Sequence, residues 1–192
     1  MAARATWFAI GIEASGPVPP LYDMVSLGAV RVTETDTGFE IGEPWYIEIV
    51  PQGPKVDPHA MSIHGLTLEH LRANGIPQRE AMLRLTAWVE SQTIPGTTPV
   101  FVGHNAPFDW SYVNYCYHAN ALPNPFGYKA LDTKALATGV LGVHWLDANK
   151  EFLEGVLDLP KLDSDQVHRA DYDAWYQALI LVQLLERMRD RT

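Results

Sequence analysis

Residues 7–16, Trp-Phe-Ala-Ile-Gly-Ile-Glu-Ala-Ser-Gly (WFAIGIEASG), form an apolar run that ends on a carboxylate and a turn. The run reads as a buried strand, and residues at the exposed end of such a strand can meet a substrate. Glu13 follows Phe8, Ile10 and Ile12, so it sits where the strand leaves the interior, and Ser15, Gly16 and Pro17 then bend the chain. A carboxylate beside a central strand needs a partner or an ion to offset its desolvation, so Glu13 suits a metal ligand better than a core residue.

Two later stretches repeat this logic. Pro99 to Asp109 (PVFVGHNAPFD) reads as a short apolar strand followed by a helix start, with Asp109 in a first turn where the helix dipole favours negative charge. His168 to Asp173 (HRADYD) carries an imidazole and a carboxylate five residues apart, immediately before the apolar helix AWYQALILVQLLERM. Taken singly, Asp109 and Asp173 read as dipole partners of their helices and His168 as a solvated loop histidine.

Taken together, the strand-end Glu13, the Asn105-to-Asp109 helix start and the His168-to-Asp173 segment resemble the DnaQ-like, DEDDh-type 3′–5′ exonucleases, of the RNase T and DNA polymerase III epsilon kind. The motifs stand in family order at 8–16, 101–109 and 168–173. The stretch IHGLTLEHL at 63–71 is similar to the segment that the family places between its first two motifs. The resemblance implies an RNase H-like α/β fold, a mixed five-stranded sheet containing an antiparallel three-strand meander, with helices on both faces. It implies Mg²⁺ or Mn²⁺, two ions per site in an intact member, with Glu13, Asp109 and Asp173 as metal ligands and His168 as general base. Two such ions roughly 3.5–4 Å apart neutralise phosphate oxygens, activate water and stabilise the leaving oxygen. Hard divalent ions prefer carboxylates, and an imidazole titrates near neutral pH. The implied partner is the 3′ end of single-stranded DNA or RNA, held by Ala14, Ser15 and Leu66; relatives often form homodimers. Asn105 reads either as a cap on the following helix or as a substrate contact, and Phe108 either as a core aromatic or as a stacking surface for the terminal base.

One position departs from the family pattern. Its first motif is Asp-x-Glu, whereas this chain has Gly11-Ile12-Glu13. The resemblance therefore implies weakened metal binding and an impaired or inactive enzyme, and Gly11→Asp is expected to restore digestion. The alternative is a noncatalytic nucleic-acid-binding module on the same fold, and a third reading is a fold-only partner for another enzyme. Glycine inside a strand sacrifices entropy and packing, and the sequence displays no fold requirement for it.

Composition sets the limits. The 192 residues suit a single domain spanning 1–192, and 47% hydrophobic with 19% charged residues suits a globular core. A lone cysteine, Cys116, excludes an internal disulfide and a cysteine zinc site, which favours a reducing cytoplasm. No segment is apolar for long enough to cross a bilayer, and the amino terminus lacks a secretory signal, so no membrane partner is expected. The net charge of −9 argues against broad nonspecific binding to nucleic acid; Lys129, Lys134, Lys150, Lys161 and Arg169 are candidates for a local basic rim. His59, His64 and His70 lack the acidic or sulfur company that a zinc site needs.

Outward from the first strand, Asp23–Thr33 reads as a second strand and Phe39–Val50 as a third, joined by a turn at 34–38. Residues 51–60 read as irregular loop. Helices are expected over LEHLRANG, capped by Thr67, and over Pro77–Gln92, with Met82, Leu85, Trp88 and Val89 on one face. Strands follow at Val100–Val102 and Tyr128–Leu131, a helix opens near Pro107, and Asp132 caps another that ends at Leu136. Residues 139–149 read as loop and Lys150–Val156 as a short helix.

Overall fold

The computed structural model describes residues 4–190. The strands are β1 (Ala5–Ala14), β2 (Met24–Glu34), β3 (Phe39–Ile41), β4 (Trp45–Glu48), β5 (Thr98–Gly103) and β6 (Ala130–Asp132). The helices are α1 (Pro58–His64), α2 (Leu68–Asn74), α3 (Gln78–Gln92), α4 (Pro107–Ala119), α5 (Thr133–Leu141), α6 (Lys150–Val156) and α7 (Ala170–Arg189).

Period-two alternation along β1 sorts its side chains onto two buried faces. Phe8, Ile10 and Ile12 point into a core shared with Met82, Leu85 and Val89 of α3 and with Tyr112, Val113 and Cys116 of α4. Ala9 points the opposite way, against Ala174, Ala178 and Leu181 of α7. A strand covered on both faces explains an apolar run interrupted only where side chains must be small or functional.

The sheet runs β3-β2-β1-β5-β6, with β4 also paired to β2. β1 and β2 are antiparallel, whereas β1, β5 and β6 are parallel, so the expected mixed sheet is present. Six strands replace the expected five, because the segment 39–50 is broken at Gly42-Glu43-Pro44. Proline cannot donate to a ladder and ends the pairing there; the two halves bond separate stretches of β2, Val32–Glu34 and Ser26–Ala29.

Other boundaries also move. The expected loop over 51–60 ends early, because α1 already begins at Pro58: the Asp57 carboxylate accepts the His59 N–H, and Pro58 occupies the first helical turn. The final parallel strand shifts to Ala130–Asp132, leaving Tyr128 83% exposed. Asp132 does cap α5, accepting from the Lys134 N–H, but the helix continues to Leu141 and closes at Gly142, where φ is 70°. Thr67, α3 and α6 stand as expected. Cys116 is 1% exposed, and burial pushes its thiol pKa up to about 12. Among the described residues no helix is long and apolar enough to cross a membrane.

Candidate active site

Glu13 lies at the C-terminal end of β1, on the face that carries Ala9 and Gly11, and is 9% exposed. Pairing between β1 and β5 stops at Ala9 and Val102, so the last residues of β1 overrun β5 and form one wall of a pocket of about 410 Å³. Asp109, in the first turn of α4, closes the overrun: its Oδ1 accepts the Ile12 N–H at 3.0 Å. Asp173 lies in the first turn of α7 rather than ahead of the helix, and His168 precedes it in a loop with φ of 68°. Ligand atoms of Glu13, His168 and Asp173 all lie within 4.8 Å of one another; Asp109 lines the same pocket outside that closest group.

The electrostatics call for a cation. Burial, then Asp173 and Asp109, push the Glu13 carboxyl up to about 9, with Lys150 opposing. Burial raises Asp109 to about 7 despite the hydrogen bond from Ile12. Lys150, the first residue of α6, places Nζ 2.6 Å from Asp173 Oδ1 with only 19% of its side chain exposed. Once all three acids are ionised, the one ammonium leaves the cluster short of positive charge. Gln177, one turn beyond Asp173, lines the pocket and buries Oε1 without a hydrogen-bond partner. Hard oxygen donors, a charge deficit and an orphaned buried oxygen fit a divalent ion of the Mg²⁺ class.

Around the acids, Ala14 and Phe108 line the pocket, the latter 38% exposed and edge-on to Tyr112, so Phe108 is not a core aromatic. Ser15, Leu66 and Asn105 lie outside the lining. Ser15 is fully buried: its N–H donates to Asp23, its carbonyl accepts from Asp57, and its hydroxyl accepts the Asp23 N–H. The Leu66 N–H holds His64 Nδ1 at 3.1 Å. Asn105 does not cap α4; Ala106 holds that position without a side-chain bond, and the Asn105 N–H donates instead to Asp132.

His64, His104, Lys150 and Gln177 all reach the pocket. Burial lowers the pKa of His64, and burial with Lys150 and Lys134 nearby takes His104 down to about 3, so His104 stays neutral against Thr133. The charge of Lys150 was legible as part of a basic rim, but its pairing across 23 residues was not.

Gly11 has a packing reason that the sequence hid. It pairs with Gly28 on β2, and the first turn of α7 rests on both glycines. A methyl group added at Gly11 would meet the Ala170 carbonyl oxygen at 2.9 Å and Asp173 Cβ at 3.3 Å; one added at Gly28 would run into the Ala170 and Asp171 backbone. Gly11 therefore faces the site beside Asp173, and helix backbone occupies the room that a side chain there would need.

A mixed sheet of this order, with acids gathered at the end of its central strand and at two helix starts, is the RNase H-like arrangement of metal-dependent nucleases. The chain is 35% identical over 172 residues to the 3′-5′ DNA exonuclease Cap18 of Escherichia coli, covering 89% of each protein. It belongs to the DnaQ-like, DEDDh-type 3′–5′ exonuclease family. Ribonuclease T of Marinobacter nauticus is 25% identical over 187 residues, 94% of this chain and 82% of that one. The nuclease domain of 3′hExo, a DEDDh family member solved bound to rAMP, superposes with a TM-score of 0.78 at 16% identity, covering 94% of this chain and 92% of that one. The zinc-bound complex of E. coli exonuclease I with single-stranded DNA gives 0.70 at 20% identity over 98% of this chain. The chain spans about two fifths (42%) of that exonuclease I. No family model matches.

Proposed function

We propose that the chain hydrolyses phosphodiester bonds from the 3′ end of single-stranded nucleic acid with the help of Mg²⁺ or Mn²⁺. The likeness to Cap18 favours DNA as the substrate. The observation that carries this reading is the convergence of Glu13, His168 and Asp173 within 4.8 Å, from a strand end, a loop and a helix start far apart in sequence.

Glu13 and Asp173, with Asp109 beside them, would hold the metal. Bound there, it would supply charge neutralisation at the phosphate oxygens and acidify a water ligand. His168, exposed on its left-handed turn, accepts the proton of the attacking water at its imidazole. Phe108 offers a face for the terminal base, and the Ala14 backbone borders the sugar. Ser15, Leu66 and Asn105 serve through the backbone they hold in place. The absence of an acid at position 11 makes turnover slower than in a relative that has one. Self-association belongs to the same reading and is measured by light scattering.

The test is a 3′-labelled single strand incubated with Mn²⁺ or with chelator. Stepwise shortening that needs the metal and falls about a hundredfold or more in Glu13→Gln supports the reading. Tight 3′-end binding with no shortening under any metal would instead establish a noncatalytic binding module, and no binding at all would leave only the shared fold.

A further inference from the structure

The site departs from a two-ion arrangement in two places, both of which lie against Asp173. Position 11 has no side chain, and α7 has settled against it, with Ala170 O 2.9 Å from where a Cβ would stand. Lys150 Nζ sits 2.6 Å from Asp173 Oδ1, in a pair whose members are 19% and 13% exposed. A partly buried ion pair of this kind does not form by surface accident, because each charge loses hydration on entering and needs the other to offset it. Two features of the chain hold Lys150 there. Asn149 caps α6 by accepting the Phe152 N–H, Leu153 of the same helix is fully buried among Tyr176 and Ile180 of α7, and Lys150 is thereby the first helical residue facing the pocket. The ammonium also acts on Glu13 and Asp109, favouring their ionised forms.

Charge counting gives the same result. Four carboxylates holding two divalent ions make a neutral set; three carboxylates with one ammonium are left with a charge of −2, which a single divalent ion neutralises. Asp173 has a second carboxylate oxygen for that ion while Oδ1 holds the lysine. Asp109 is committed through Oδ1 to the Ile12 N–H and lies outside the 4.8 Å group.

We propose that this chain works with one divalent ion, held between Glu13 and Asp173 beside His168, and that the Lys150 ammonium takes the charge-neutralising place of the second. The inference rests on the metal-dependent reading above and deepens it. With an ion held there, it would supply charge neutralisation to an entering phosphate, and the Lys150 ammonium would add a second positive charge whose attraction grows as negative charge builds in the reaction.

The test counts ions as well as turnover. Mn²⁺ titrated into the purified chain, with free ion followed by electron paramagnetic resonance, is expected to show one tight site. Lys150→Met removes a competing cation, so the ion binds more tightly, on the order of tenfold, while kcat falls about a hundredfold and KM for the oligonucleotide changes little. Lys150→Arg keeps the charge and is expected to keep one ion and most of the turnover, which separates charge from folding should the methionine variant fold poorly. Two tight ions in the unaltered chain, one bound ion without turnover, or a Lys150→Met protein with unchanged kcat and unchanged ion affinity would overturn the proposal. No Mn²⁺ binding at all would remove the metal-dependent reading with it, and is thereby distinguished from a two-ion result.

Discussion

Glu13 and Asp109 carry the clearest consequence at the scale of single residues. Their carboxyl pKa values stand at about 9 and about 7, above the ordinary 4.5 and 3.8, with burial the first cause in both. A raised acid is protonated in the fold and ionised in the unfolded chain, so the fold holds more protons across that window. Its stabilisation is complete below the ordinary value and lost as pH climbs through the folded one. The melting temperature in chelator should therefore fall between about pH 4 and pH 9, and Glu13→Gln should flatten the upper part of that slope. Mn²⁺ should abolish it, since the ion favours the ionised forms; thermal melts at several pH values read this directly. The acids of the site were legible because each ends a strand or opens a helix, positions with a local signature. His64, His104, Lys150 and Gln177 were not, because nothing in the residues around them says which way they face: His64 ends α1, His104 is turned inward by Thr133, and Lys150 meets its acid only through the docking of α6 on α7.

The contact between α7 and the β1–β2 pair governs the behaviour of elements. Because helix backbone lies directly on Gly11 and Gly28, a side chain at either must push the helix away. Gly28→Ala should cost about 1–3 kcal/mol or more, and Gly11→Ala should cost less, since its closest approach is the milder. Urea unfolding of the two variants gives the order. Gly11→Asp, expected from the sequence to restore digestion, would bring its Cβ against the Ala170 carbonyl and should lower stability unless α7 retreats. A cap offers a contrasting case: Asp57→Ala removes the acceptor for the His59 N–H and should loosen α1 by about 1 kcal/mol, visible as faster amide exchange over residues 58–64. That helix was missed because no residue in it is buried, so it prints no apolar stripe, and the prolines before it read as loop. The break at Gly42-Glu43-Pro44 was missed for the opposite reason: the aromatic and β-branched residues on either side continue one pattern across a gap that only pairing with β2 reveals.

For the whole molecule, the topology was readable because chain order and periodicity constrain it: antiparallel strands first, then parallel ones separated by helices. A divalent ion that binds only the folded chain should raise stability by about 2.7 kcal/mol at a hundredfold excess over its Kd, and calorimetric melts against Mn²⁺ concentration measure that increment. The state of Cys116 opens a further route. With its thiol enclosed between α3, α4 and the sheet and its proton firmly held, it should ignore maleimide reagents in the native protein. A cysteine introduced at Tyr128, 83% exposed, would then be the sole reactive thiol, so one dye could be attached without first stripping the protein of its own sulfur.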